Sequence, residues 1–458
     1  MENQKVMNRW LVVVGALLIQ VSLGAIYIYS VFKPALSGVF PSWSPTDLAL
    51  PSQLVLAFFA LSMIFFGRIQ DKVGPRRVAT LGGIILGAGL VVARFATGLP
   101  TFILGFSILG GIGIGAAYVC PIATCVKWFP DKRGLITGLA VAGFGAGGLV
   151  FTPVAKSLIA SQGIMSTFMY LGLIFFIAVI AGAQLMKNPP AGWRPAGWAP
   201  PAPAPGTGAL RTDYTWQQML GTPQFWLLWL TYFAGCTAGL MVIMNTTNVW
   251  LSFPLLEVAR STAVVPRATY LNIVSAGATA VIVVAILNAA GRIIWGRISD
   301  SIGRKKTLLI MFLTAGVAML ALNWLSKYPL YLIGVGAVGF SFGGFLALYP
   351  AVTADYFGTK NVGANYGWMF SAYGAGGLFG PWLAPKLMNV AQKICYEGVD
   401  KAGNLIQQYC DAGSYLRAFV ISGVLCFAAA AVITIVRPVR KTAGPTAAAQ
   451  ASGSAAKG

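Results

Sequence analysis

The sequence predicts an all-α membrane protein of twelve transmembrane helices, built as two pseudo-symmetric six-helix bundles. Three observations carry that prediction. Hydrophobic residues make up 57% of the 458 positions and charged ones only 9%, a balance outside the range of soluble domains. Apolar runs long enough for a hydrocarbon core about 30 Å thick, which takes roughly 20 helical residues to cross, recur along the whole chain. The second half of the sequence also repeats features of the first at a nearly constant offset.

The spans fall near residues 10–32, 50–67, 78–98, 101–127, 135–158 and 164–186, then near 223–248, 269–295, 307–326, 328–354, 365–389 and 415–436. The first run is too long for the apolar core of a signal peptide, and no small-residue cleavage site follows it closely, so it is expected to remain as a membrane helix. Residues 187–221 contain NPPAGWRPAGWAPPAPAP, too polar to span and unable to hold a regular helix through the prolines. They read as a cytoplasmic linker between an N-terminal bundle, 1–186, and a C-terminal bundle, 222–436. Residues 437–458, rich in Ala, Gly and Ser without periodicity, read as a disordered basic tail.

The net charge of +21 sits in short clusters between apolar runs and not on one soluble face, which argues for topology signals and against nucleic-acid binding. With the N-terminus inside, 21 of the 32 basic residues lie on the cytoplasmic side, 10 lie in or near external loops, and one, Arg292, lies within a span. That asymmetry follows the positive-inside rule. It places both termini in the cytoplasm of a multi-pass protein of the cell membrane; the expected setting is a prokaryotic inner membrane, with membrane lipids as neighbours and the chain as a monomer.

The repeat rests on three markers. GRIQDKVGPRR begins at Gly67 and GRISDSIGRKK at Gly296, an offset of 229. KWFPDKRG places Trp128 where DYFGTKN places Tyr356, an offset of 228, and GAGGL begins at Gly145 and again at Gly374, which returns the first offset. The first pair joins spans on the cytoplasmic side and reads as a gate latch. Gly67 and Gly296 allow tight turns, and Asp71 and Asp300 can meet another helix's positively polarised N-terminus. Arg76, Arg77, Arg304 and Lys305, with Arg133 after the fourth span, would face headgroups or pair across the halves. A plain basic loop would explain the charge but not the repeated Gly and Asp. The two GAGGL segments lie inside spans without a phosphate-loop lysine, so they read as close helix packing.

Arg292 needs its own account, because a cation inside an apolar span costs about 2.5–3.5 kcal/mol on insertion scales. It lies eight residues before Asp300, roughly 12 Å along a helix. It either snorkels to the interface or serves as an intramembrane anion site. The chain has no His, and all eleven Asp and Glu fall in loops or at span ends. That counts against a membrane enzyme, a metal site or a cofactor, and against an ordinary intramembrane proton relay. Were the chain a carrier, exchange or facilitated movement would be favoured, with proton symport left open through Asp47, Glu257 or a proton borne by the cargo itself.

The G-R-I-x-D-x-[IV]-G segment resembles the signature loop of the major facilitator superfamily. KWFPDKRGLITG, NPPAGWRPAGW, TPQFWLLW and NAAGRIIWGRISDSIGRKKT further resemble the oxalate/formate antiporter family, which is related to monocarboxylate transporters. The resemblance implies the major facilitator fold, alternating access, and a role for Arg292 in binding a substrate carboxylate. Guanidinium geometry suits this, since its fork can hold a carboxylate bidentately, and Asn288 shares its helix face. Oxalate transporters carry a lysine where this chain has Tyr373, so a dianion would lose a counter-charge. Tyr27 and Tyr118 match the family pocket, whereas Leu346 and Phe342 replace a tyrosine and a tryptophan. The implied cargo is a small monocarboxylate of the formate, acetate, lactate or pyruvate type. The tyrosine hydroxyls would donate to it, and Phe342 and Leu346 would bound its apolar end, although aromatics on such helices also serve as packing and interfacial anchors. Oxalate/formate exchange, export of larger amphipathic compounds and a non-transporting carboxylate sensor are the alternatives. Of the six cysteines, Cys120, Cys125, Cys236 and Cys426 fall in apolar runs as packing residues. Cys395 and Cys410 fall in the last external loop, where a disulfide could close it.

Overall fold

A computed structural model describes residues 7–190, 192–199, 213–399 and 405–437. The tail from 438 and residues 200–212 of the linker lie outside these. The helices are α1 Arg9–Val39, α2 Pro45–Val73, α3 Pro75–Arg94 and α4 Leu99–Trp128. After them come α5, 133–162, and α6, 164–184, then α7 Pro223–Val258, α8 Arg267–Ile302 and α9 Arg304–Ala321. The last are α10 Tyr328–Phe357, α11 Val362–Leu387 and α12 Leu416–Ile435. Ten helices among the described residues are long and apolar enough to cross a membrane. One of the ten, Arg133–Gln184, is α5 and α6 joined at Gly163, whose φ of 75° turns the chain while leaving almost no loop. With that helix counted as two and glycine-rich α11 added, the membrane-length helices number twelve among the described residues.

Two spans depart from a plain α-helix. In α1, residues Gly24–Ile28 tighten into a 3-10 turn where the chain passes α5, so close that a Cβ on Gly24 would lie 1.9 Å from the Phe144 carbonyl oxygen. In α4, Ile103–Leu109 widens into a π segment. Part of the linker is ordered too. Trp216–Leu220 forms a short helix with a Thr215/Gln218 capping box, and Tyr214 N–H donates to the Phe357 carbonyl at 2.9 Å.

The expected external loop before α12 is an antiparallel hairpin, β1 Asn389–Val399 with β2 Leu405–Ser414, added to the helical bundles. Its strands are rich in Val, Ile and Tyr, which suit extended backbone. The hairpin is fixed to the α7–α8 connection by Val265, which exchanges backbone hydrogen bonds with Cys395 and Glu397.

The disulfide expected between Cys395 and Cys410 is absent, and both thiols are free. Cys395 stands opposite Tyr409 and Cys410 opposite Ile394. Paired residues share a face and neighbours along a strand alternate, so the two sulfurs point to opposite sides of the hairpin. Burial, and then the adjacent Asp411 carboxylate, push the Cys410 thiol above its ordinary range. Alkylating the denatured, unreduced protein should therefore block all six cysteines; a count two short of that would restore the bridge.

The two halves meet along two seams related by the sequence repeat. In α2 against α11, a Cβ on Gly67 would lie 2.2 Å from the Gly363 carbonyl oxygen, and one on Gly367 2.3 Å from that of Met63. In α5 against α8, a Cβ on Gly296 would lie 2.3 Å from the Gly134 carbonyl oxygen, and one on Gly138 2.1 Å from that of Arg292. Gly67 and Gly296, Gly134 and Gly363, and Gly138 and Gly367 are each related by the offset of the repeated loops. Small residues at these positions let backbones touch backbones across the interface.

Candidate functional site

At the end of the bundle carrying both repeated loops, here called the basic end, each repeated aspartate caps a helix of the other half. Asp300 accepts hydrogen bonds from the Gly134 and Leu135 amides at 2.9 and 2.8 Å, in the first turn of α5. Asp71 accepts one from the Ala364 amide at 2.7 Å, in the first turn of α11. A carboxylate here meets unpaired N–H groups and the positive end of the helix dipole. Leu135 and Ala364 are themselves equivalent positions of the repeat.

The surrounding charges differ between the two copies. Asp71 is joined by Lys127 at 3.4 Å, within its own half. Asp300 is joined by Arg304 at 2.7 Å, Arg304 also holds Asp355 at 3.0 Å, and Asp355 reaches across the halves to Arg133. Among the described residues, Arg76, Arg77 and Lys305 make no ion pair across the halves. Arg76 donates to the Gln184 side-chain carbonyl at the end of α6, Lys305 to the Thr434 carbonyl near the end of α12, and Arg77 is exposed.

Arg292 lies deeper, on α8, and is 1% exposed. Its Nε donates to Asn288 Oδ1 at 2.9 Å, one turn away, and its Nη1 donates to the Val141 carbonyl of α5 in the other half. Gly145, the first residue of the first GAGGL, leaves room for the guanidinium: a Cβ there would lie 3.1 Å from Cζ. Among the described residues no carboxylate pairs with it. It does not snorkel; it sits as a buried, uncompensated cation on the seam between the halves.

Next to it the aromatic residues converge. Tyr118 of α4 lies within electrostatic reach of Arg292 and packs its ring on Phe59, Phe144 and Phe370 at 5.0–5.4 Å. The hydroxyls of Tyr27 and Tyr373 meet across the halves at 3.2 Å. Tyr27 is placed by the 3-10 turn of α1, and Tyr373 stacks on Phe370 at 4.6 Å. Phe342 and Leu346 are buried on α10 on either side of Gly343, where a Cβ would lie 2.0 Å from the Asn288 carbonyl oxygen, and Phe342 covers Gly239 of α7. The structure thus gathers Arg292, Asn288, Tyr27, Tyr118 and Tyr373 in one region, while Phe342 turns its ring to α7 and Leu346 is buried on α10. Sequence reasoning missed Phe59, Phe144 and Phe370, and also Tyr232 and Tyr366. The last two are fully buried near Tyr118, with hydroxyls that make no well-formed hydrogen bond among the described residues.

The hydrogen bonds and ion pairs between the halves, among the described residues, run from the Tyr27–Tyr373 contact through Arg292 and Thr137–Ala347 to the aspartate caps. The bundle is therefore latched at the basic end. In the first copy of the repeat the position equivalent to Arg292 is Met63, and the one equivalent to Asn288 is Phe59. The seam thus closes with apolar side chains in one copy and with a cation and an amide in the other.

The Major Facilitator Superfamily profile matches residues 7–253 and 235–457. The chain is 30% identical to an uncharacterized MFS-type transporter, YhjX, of Escherichia coli (strain K12), over 81% of this chain and 86% of the relative. It is 28% identical to the oxalate:formate antiporter of Oxalobacter formigenes, covering 95% and 94% of the two chains. It is 26% identical to apicoplast pyruvate carrier 1 of Toxoplasma gondii, over 81% and 74%. Among solved structures, the proton:xylose symporter XylE superposes with a TM-score of 0.65 at 14% identity, covering 94% and 96% of the two chains, which speaks for the fold. Two interlocked six-helix halves, a repeated aspartate latch and a family profile spanning nearly the whole sequence lead to one assignment: the chain belongs to the Major Facilitator Superfamily and is a multi-pass membrane transporter.

Proposed function

We propose that this transporter carries a small monocarboxylate by alternating access, with Arg292 as the counter-ion that faces each side of the membrane in turn. The observation carrying this reading is the break in internal symmetry: the seam tolerates Met63 and Phe59 in one copy, so packing does not require Arg292 and Asn288 in the other. A buried guanidinium bound to one amide and one backbone carbonyl keeps donors free for a carboxylate fork. Tyr27, Tyr118 and Tyr373 would add hydroxyl donors, while Phe342 and Leu346 would limit the apolar end. With Tyr373 in place of a second cation, the site offers one positive charge and matches a monoanion better than oxalate. The named relatives that handle oxalate, formate and pyruvate fall in the same chemical range.

In this reading the basic end faces the cytoplasm, as its positive charge requires, and both termini lie there. Residues 1–186 and 222–436 are the rocking halves, 187–221 the connection and 437–458 a tail. Gly67, Asp71, Gly296, Asp300, Arg304 and Arg133 hold the cytoplasmic gate shut, while Arg76 and Lys305 brace their own halves and Arg77 faces the headgroups. Purified protein in liposomes, empty or preloaded and with or without a pH gradient, tests the cargo and the coupling. Labelled formate, lactate or pyruvate should enter preloaded vesicles faster than oxalate, and acid-driven entry into empty ones would assign proton symport. Oxalate entering faster than every monocarboxylate would overturn the single-charge site.

A further inference from the structure

At the basic end, away from the seams, the ends of α2, α3 and α6 enclose a groove of about 820 Å³. It is lined by Arg76, Arg77 and Lys187 with no acidic residue, and its wall continues over Leu81 and Ile84, which are 43% and 44% exposed. We propose that this groove binds one anionic phospholipid, with the phosphate held by the three cations and an acyl chain along Leu81 and Ile84.

Three features argue for a lipid and against a plain basic surface. The groove lies where three membrane-length segments end together: α2 finishes at Val73, α3 begins at Pro75 and α6 finishes at Gln184. That is the depth at which headgroups meet the hydrocarbon. Its cations have no carboxylate among the described residues. The carboxylate of Asp71 is turned inward, to Ala364 and Lys127, and leaves the outer cations unbalanced. The cations are also positioned. Arg76 is held by the Gln184 side-chain carbonyl at 2.7 Å, and the Lys187 backbone is fixed by the Trp128 indole N–H, which donates to its carbonyl at 2.6 Å. The apolar wall faces outward and away from the other half, where an acyl chain can lie.

Full-length protein in neutral detergent, titrated with phosphatidylglycerol, phosphatidylcholine or glycerol phosphate and read by native mass spectrometry, tests this. Phosphatidylglycerol should be retained over phosphatidylcholine. The double variant Arg77→Gln/Lys187→Gln, at two exposed positions, should bind it roughly twenty-five-fold more weakly, about fivefold per cation near a membrane surface. Leu81→Gln/Ile84→Gln should remove the advantage of phosphatidylglycerol over glycerol phosphate while leaving glycerol phosphate binding in place. Equal retention of the two lipids, or unchanged retention by the first double variant, would overturn the site. Full displacement of phosphatidylglycerol by equimolar glycerol phosphate would also overturn it, leaving a surface anion contact with no role for the acyl wall.

Discussion

Replacing Arg292 by Met is expected to lower uptake of a labelled monocarboxylate roughly a hundredfold, the loss that goes with removing the charged partner of a desolvated carboxylate. Met is the informative choice because the other copy of the seam already holds Met63 at this position, so the substitution restores internal symmetry. Folding should not suffer. Arg292 is 1% exposed with no carboxylate paired to it among the described residues, and taking an uncompensated charge out of an apolar interior relieves a desolvation penalty. A melting temperature equal to or above that of the parent, together with lost uptake, separates a binding role from a structural one. Arg292→Gln should likewise lose uptake while folding normally. Arg292→Lys should recover only part of it, since an ammonium keeps the charge but not the planar fork. Uptake by the Met or Gln variant at the parent rate would refute the assigned site.

What could be read from the sequence depended on whether a feature repeats at the same offset. The aspartates and glycines of the loops do, because both copies of the seam bring backbones together and cap a helix across the halves, and so these positions stood out before their geometry was known. Arg292 was legible as a cation with no place in an apolar run. Its partners were less so, because Val141 contributes only a carbonyl and Gly145 only the lack of a side chain. Comparing position 292 with position 63 needs nothing beyond the sequence, and it would also have pointed to Phe59 beside Asn288. The local partners of Arg76 and Lys305 were hidden for a different reason. Gln184 and Thr434 lie near the ends of helices with no repeated motif, so nothing in the pattern brings them to the loops. The cysteine pairing failed on parity. Whether two residues on a hairpin share a face depends on its register, and the one-residue slip between Cys395–Tyr409 and Ile394–Cys410 decides it.

The second large effect is expected at the glycines of the two seams. Gly67→Ala and Gly296→Ala would each put a methyl group 2.2–2.3 Å from a backbone oxygen of the opposite half. Neither clash can be relieved by a side-chain rotation, because the atoms met are main chain, so the relief available is to part the halves at the basic end. Overpacking of this kind costs about 1–3 kcal/mol, and the cost falls only on the latched state. The balance between states should therefore shift by roughly ten- to a hundredfold toward opening at that end. Either variant should label faster with a membrane-impermeant thiol reagent at a cysteine introduced at Ala364, beside the Asp71 cap, in an otherwise cysteine-free background. Each should also slow net transport at least about tenfold, since a carrier held open to one side completes few cycles. The repeat adds a stricter demand: the two variants occupy equivalent positions and should agree in sign and in approximate size. Parent-like labelling and transport in both would show that the halves do not close on these glycines. A large effect in one with none in the other would show that one seam, and not the pair, bears the closure.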